Sequence, residues 1–287
     1  MQSKLTIITI NLNNADGLHK TIESVVSQTF TDYEYIIIDG ASTDGSVDVI
    51  KRYADKITYW VSEADKGIYN AMNKGIKVAQ SEYCLFLNSG DWLFDNITLE
   101  NVFKLDRTED ILYGDFYSVS EDGTLKLVTY PSTLTLNFFL DNTICHQATF
   151  TKRNLLVEDP YNELFKIASD WEFLVKHIIL KNCSTFKLYN KIVYYQDFGI
   201  SSNPKFTQLH LIERKTILYS YFSERILLDY AKLSKLHEEQ NTRFFTNIRF
   251  VMQYPKLQKF VRRLIKIVVV VFCFIRRIPK PNHKLKL

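Results

Sequence analysis

Polar side chains recur wherever a buried, β-branched run of this chain ends. The run Leu5 to Ile10 breaks into Asn11 and Asn13, and Tyr35 to Ile38 into Asp39. Ile57 to Val61 is followed by Glu63 and Asp65, and Tyr83 to Leu87 by Asn88 and Asp91. Chance supplies one or two such endings. Four in succession make one lip of a sheet polar and mark it as a site, because ligands of open α/β sheets bind at the carboxyl ends of the strands.

Each of these groups has a chemical use and a plainer structural one. A carboxylate at Asp39 can accept hydrogen bonds from a nucleobase imide or a ribose hydroxyl, or it can close a turn. Asp65 can touch the same ligand or cap the helix that follows Gly67. Asp91 can hold a hard divalent cation shared with phosphate oxygens, or cap the next element. Asp170, in Ile167-Ala-Ser-Asp-Trp-Glu-Phe173, can take a proton from a hydroxyl. Ser169 and Glu172 have the spacing of a capping box, which also makes Asp170 a first-turn acid favoured by the helix dipole. His146, in Cys145-His-Gln-Ala-Thr-Phe150, is either a ligand to metal or diphosphate or a hydrogen-bonded core residue. Trp92 and Trp171 each follow a candidate aspartate, where a ring can stack on a sugar or fill the core. Asp44, in Thr-Asp-Gly-Ser, reads as turn and cap chemistry.

The elements that must carry these residues alternate. Continuous apolar strands at 5–10, 35–38, 57–61 and 83–87 alternate with helical patterns at 17–28, from Val47 through Ile50, and at 68–78. That order implies a mainly parallel, Rossmann-like α/β sheet with right-handed crossovers and flanking helices. From about 110 to 200 the pattern turns to short strands, at 111–117, 125–130, 148–151 and 192–196, interrupted by a helix over 170–180. Residues 206–238 are helical with mixed charge. The expected organisation is one α/β domain over 1–205, a helical extension over 206–255 and a basic tail over 256–287.

Several ordered motifs resemble the family-2 glycosyltransferases of bacterial polysaccharide, O-antigen and capsule assembly, whose fold is the A-type glycosyltransferase fold. They are Thr6-Ile-Ile-Thr-Ile-Asn-Leu-Asn13, Ser24-Val-Val-Ser-Gln-Thr-Phe30, Ile37-Ile-Asp-Gly-Ala-Ser-Thr-Asp-Gly-Ser46, Asp65-Lys-Gly-Ile-Tyr-Asn-Ala-Met-Asn-Lys-Gly75 and Leu85-Phe-Leu-Asn-Ser-Gly-Asp91. The resemblance spans roughly residues 4–200. It implies an inverting transfer of a hexose or N-acetylhexosamine from a UDP-sugar to a hydroxyl of a glycan, lipid-linked in such pathways. It assigns Thr9, Asn11, Asn13, Asp39, Asp65, Asn73, Asn88, Ser89 and Gly90 to the nucleotide-sugar, Asp91 and His146 to Mg2+ or Mn2+, and Asp170 to the catalytic base. Relatives usually read Asp-Ser-Asp-Asp where this chain has Asn88-Ser-Gly-Asp91, so only the last carboxylate is kept. The cation is then expected to arrive largely with the donor.

Charge and composition narrow the field. No acidic residue follows Glu239, whereas twelve Lys and Arg do. The preceding body therefore holds 24 basic residues against 32 acidic ones, which argues against a nucleic-acid enzyme. The cysteines at 84, 145, 183 and 273 show no C-x-x-C pairing, which fits reduced thiols and a cytoplasmic protein. No secretory signal is expected, since the N-terminus reads straight into a strand. Lys256, Lys259, Arg263 and Lys266 recur at helical spacing beside Leu257, Phe260, Val261 and Leu264, followed by an apolar run from Ile267 to Ile275. That run is too short to span a bilayer and suits a basic amphipathic helix on the cytoplasmic membrane face, although a strand or helix docked on the body is the alternative. Two other functions remain open: a sugar nucleotidyltransferase, against which the loop Asn11 to Gly17 offers no Lys or Arg, and a non-catalytic sugar- or nucleotide-binding module.

Overall fold

The computed structural model describes residues 3–197, 204–240, 247 and 250–276. The chain divides into two compact units, 1–221 and 222–287.

The first unit opens as the sequence implies. Strand β1 (Leu5–Asn11) is buried along its whole length, as a parallel strand covered on both faces must be. Helix α1 (Ala15–Val26) follows and buries Leu18, Thr21, Ile22 and Val25. It starts two residues before the expected Gly17, because the Asn14 side chain caps it by accepting from the Gly17 amide. Then come β2 (Tyr33–Asp39), α2 (Ser46–Arg52), β3 (Tyr59–Ser62), α3 (Ile68–Val78) and β4 (Tyr83–Phe86). The left-handed backbone of Gly45 turns the chain into α2.

The second half adds β5 (Trp92–Leu93), α4 (Thr98–Phe103), β6 (Ile111–Val119), β7 (Leu125–Val128) and α5 (Leu136–Asp141). A 3-10 turn at His146–Ala148 leads into β8 (Thr149–Lys152), α6 (Arg153–Glu158) and α7 (Ser169–Leu174). The helix expected over 170–180 is α7 followed by one widened turn, Val175–Leu180, of π type. Strand β9 (Thr185–Gln196) and helix α8 (Thr207–Tyr221) complete the unit.

The strands form one sheet in the order β3-β2-β1-β4-β8-β6-β9-β5, with β7 paired to β6. β1 to β4 run parallel, β8 runs antiparallel to both its neighbours, and β6 and β9 are parallel to each other. The sheet is mixed, and it is the antiparallel β8 that joins the two parallel sets. Register then does the positioning: Asn11 pairs with Asp39, and Asp39 with Ser62, so three polar residues leave the sheet in one row.

In the second unit, α9 (Glu224–Gln240) and α10 (Pro255–Arg276) are the long helices. The helical stretch expected over 206–238 is thus two helices, α8 and α9. Among the described residues, no helix is long and apolar enough to cross a membrane.

Helix α3 lies so close to β1 that a methyl group at Gly75 would stand 2.5 Å from Cγ2 of Ile8. A side chain there must push a fully buried, β-branched neighbour. Gly75→Val is expected to destabilise the fold by about 2 kcal/mol, read as a lowered midpoint in urea unfolding.

Candidate active site

The row of polar residues at the strand ends closes on itself. The Asp39 carboxylate, fully buried, accepts from Asn11 Nδ2 at 2.7 Å, Ser42 Oγ at 2.6 Å, Ser62 Oγ at 2.6 Å and the Ser42 amide at 3.0 Å. Burial pushes its carboxyl up, but these hydrogen bonds outweigh burial and hold it below the ordinary range. Asp39 therefore organises the loop 40–44. Asn13 belongs to the same loop: its side-chain oxygen accepts from the Thr43 amide, and its own amide donates to Ser42 Oγ. Asp44 caps as expected, accepting from the Ala15 and Ser46 amides. Asp65 accepts from the Gly67 amide, and its other oxygen lies against Gly40, where a methyl group would stand 2.7 Å away. One acceptor in this row is left over. Asn11 Oδ1 is buried without a hydrogen-bond partner, a state that costs about 1–3 kcal/mol until a donor arrives.

Two of the expected donor contacts fall elsewhere. Thr9 is fully buried between strands, its hydroxyl hydrogen-bonded to Tyr35 Oη at 3.0 Å, so it cannot meet a ligand. Asn73 is buried on α3, where it donates to the Tyr161 carbonyl and Glu163 and accepts from the Tyr161 amide. It fastens α3 to the 161–163 loop. Both are corrected from binding residues to scaffold.

A cavity of about 760 Å3 opens beside β4, with Asn88, Ser89, Asp91, His146, Gln147 and Asp170 on its wall. Residues 88–91 reach it through a tight loop. Thr21 Oγ1 accepts from the Gly90 amide and donates to the Asp91 carbonyl, and Asn14 Nδ2 donates to the Ser89 carbonyl. Gly90 has a left-handed backbone, and a methyl group there would collide with the Gln196 side chain. A side chain there would be strained by the backbone and would have to displace the end of Gln196.

Two carboxylates face the cavity, and adjacent residues of the 3-10 turn hold them. Gln147 Nε2 donates to Asp91 Oδ2 at 2.8 Å, while the Gln196 amide donates to Oδ1 at 2.9 Å. Gln147 is itself steadied by the Cys145 thiol, whose sulfur lies 2.9 Å from Gln147 Oε1. His146 Nδ1 lies 3.1 Å from Asp170 Oδ2, and the Tyr69 hydroxyl donates to Asp170 Oδ1 at 2.8 Å. The other nitrogen of His146 sits 3.3 Å from Asn88 Nδ2. His146 is thus directed at Asp170 through one ring nitrogen and lies beside Asn88 through the other. Asn88 Oδ1 and Ser169 Oγ are buried without partners.

The two carboxyls differ in charge state. Burial raises Asp91 to about 7, only partly offset by the Gln196 amide, Gln147 and the His146 charge. Burial also pushes Asp170 up, but His146, Tyr69 and the Trp171 amide bring it below the ordinary value. Asp170 is thus an anion at neutral pH, and Asp91 stands near its midpoint. Among the described residues no three His, Cys, Asp or Glu side chains gather as an ion site. The donor set fits a cation held mainly by a ligand's phosphates with Asp91 as its one carboxylate, and does not fit a protein cage.

Sequence reasoning missed Thr21, Tyr69, Gln147 and Gln196, neutral residues whose partners lie far along the chain. It also misassigned the cap of α7. Ser169 makes no cap bond, and Glu172 accepts from the Tyr221 hydroxyl at 2.8 Å. Glu213 of α8 instead takes the amides of residues 166–168, the stretch that leads into α7. The tryptophans resolve too. Trp171 is 2% exposed and donates to the Phe139 and Asn142 carbonyls, and Trp92 stacks on Tyr194 beneath the Lys20 ammonium.

Residues 6–169 match the model of Glycosyl transferase family 2. A PGL/p-HBAD biosynthesis glycosyltransferase of Mycobacterium bovis (strain BCG / Pasteur 1173P2) is 30% identical over 209 residues, 69% of this chain and 78% of the relative. Staphylococcal TarS 1–349 in complex with UDP superposes with a TM-score of 0.56 at 21% identity, over 67% of this chain and 60% of that one. The mannosyltransferase PcManGT of Pyrobaculum calidifontis, in complex with GDP-Man and Mn2+, gives 0.53 at 13% identity, over 95% and 87% of the two chains. The two structural likenesses bear on fold.

The raised Asp91 carboxyl has a consequence for stability. Its folded value lies above that of the unfolded chain, so its contribution is complete below the ordinary carboxyl value of 3.8 and is lost as pH rises through about 7. Asp91→Asn is therefore expected to gain more thermal stability over the wild type at pH 8 than at pH 5. Melting curves of both proteins at the two pH values check this, and equal differences at both would refute the assignment.

Proposed function

Because this chain belongs to glycosyl transferase family 2, we propose that it moves a hexosyl or N-acetylhexosaminyl group, with inversion, from a UDP-sugar to a hydroxyl of a lipid-linked glycan in cell-surface polysaccharide synthesis. The observation that carries this reading is the single cavity in which two carboxylates of different charge state face each other's neighbourhood, one anionic and braced, one buried near its midpoint.

The nucleotide end falls to the strand-end row. Asn11 Oδ1 and Asp65 are acceptors awaiting donors, and a uracil imide and ribose hydroxyls are donors of the right kind. Asn88 Oδ1, on the cavity wall, is the matching acceptor for a hydroxyl of the ribose or sugar. Asp91 lies where the diphosphate must pass, and a hard divalent cation bound there would neutralise the charge that grows on the leaving UDP.

Transfer is a single displacement. The acceptor oxygen bonds to the anomeric carbon as the carbon–oxygen bond to the diphosphate breaks, and Asp170 takes the hydroxyl proton. Tyr69 and His146 each bond one oxygen of Asp170, which fixes the carboxylate's orientation before substrate binds. The absence of a second cavity carboxylate on the acceptor side supports inversion among the described residues. Asp170→Asn is expected to lower UDP release by roughly 10²–10⁴-fold while UDP binding persists. A panel of UDP- and GDP-sugars, with Mg2+ or Mn2+ and with chelator, names the donor. Turnover of none of them, together with no nucleotide binding, would sink the proposal.

Attachment to a membrane surface rests on α10. Its Lys256, Lys259, Arg262, Arg263 and Lys266 carry positive charge without an acidic residue, and Phe260, Leu264, Ile267, Val268 and Phe272 are exposed. Each cation near an anionic leaflet contributes about 1 kcal/mol. Flotation with vesicles containing anionic lipid should carry the full chain and leave behind a chain truncated before Pro255. Equal flotation of both would remove α10 from the account.

A further inference from the structure

Glu213 is a buried carboxylate, 6% exposed, that the transfer just described does not use. It stands on α8, past the end of the family match, yet its oxygens accept from the amides of Lys166 at 2.8 Å and of Ile167 and Ala168 at 3.0 Å each. These three amides lead into α7, where a helix leaves N–H groups without partners. A buried carboxylate is costly unless hydrogen bonds surround it. Among the described residues no Lys or Arg forms an ion pair with Glu213, so those amides are what compensates it.

The same face of α8 holds α7 at two further points. Arg214 Nη2 donates to the carbonyls of Phe139 and Asn142 at 2.6 and 2.8 Å, and these carbonyls also receive Trp171 Nε1. About two turns further on, the Tyr221 hydroxyl donates to Glu172. The residues flanking Asp170, at 168, 171 and 172, are therefore all tied to α8 or to groups that α8 grips. Asp170 makes no hydrogen bond to α8, although its charge acts on Arg214 and His210 of that helix. What α8 determines is where the backbone of Asp170 stands, and so whether its carboxylate reaches His146 and Tyr69 together.

We propose that Glu213 is a positioning residue for sugar transfer, fixing the start of α7 so that Asp170 meets the acceptor hydroxyl. It acts through Asp170 and contacts no substrate. This rests on Asp170 being the group that takes the acceptor's proton. On the reading above the donor is held by the strand-end row, so the effect belongs in kcat and not in the donor KM. A displacement of about 1 Å at a reacting group costs on the order of 10²-fold in rate, and Glu213→Ala removes all three amide partners at once.

The test uses the full chain, with the donor identified by the panel above. Glu213→Ala should lose kcat by roughly 10²-fold, with donor KM and UDP binding little changed and a folded melting profile. Glu213→Gln, which keeps the volume and one acceptor oxygen, should fall between the two proteins, and it carries the test alone if the alanine variant does not fold. A kcat equal to wild type would overturn the proposal, as would a donor KM rising in step with the loss. If the wild type turns over no donor, the transferase reading fails separately. Amide exchange at Ile167, Ala168, Trp171 and Glu172 then decides the positioning claim: faster exchange in the variant supports it, and unchanged exchange overturns it.

Discussion

The site depends on one dipeptide that compensates two buried carboxylates. His146 and Gln147 leave the same short turn in different directions, one to Asp170 and the other to Asp91. An ionised carboxylate removed from water without partners costs several kcal/mol, so neither aspartate could stand on the cavity wall by itself. The turn that carries the dipeptide leads directly into β8, the antiparallel strand between the two parallel sets of the sheet. The pivot of the sheet is thus also the pivot of the chemistry. Displacing it would disturb both carboxylates together.

The two carboxylates are treated differently by nearly the same means. Asp170 is bonded by a histidine, a tyrosine and an amide, and its proton is driven off. Asp91 is bonded by a neutral amide side chain and one backbone N–H, which do not offset its burial. That division suits a site in which one group must accept a proton from substrate and the other is to meet positive charge brought in from outside.

The parallel half of the fold was legible from sequence because strands covered on both faces must be continuous and apolar. Leu5–Asn11 and Tyr33–Asp39 are so nearly uniform that no other period competes. Helix α3 was placed at its true ends, 68 and 78. Elements of two to six residues, β5, α4, α5 and α6, carry too few residues to show a period. At the site, the residue types that speak in sequence are acids and histidine, and Asp91, His146 and Asp170 do share a cavity. Thr9 and Asn73 misled because a polar residue in a strong motif looks like a ligand when its partner is in fact Tyr35 or the Tyr161 backbone. Glu213 was silent for the opposite reason. It sits in a mixed-charge helix some 45 residues from the amides it bonds, and nothing local sets it apart.

The carbonyls of Phe139 and Asn142 are each shared between Trp171 and Arg214, so α5, α7 and α8 meet at two oxygen atoms. Such sharing makes the three helices a single mechanical part. Replacing any one of them with the equivalent from a related enzyme would strand donors on the other two. Along a lineage, or on a bench, α5, α7 and α8 would therefore have to change together, with the two carbonyls and their donors kept in step.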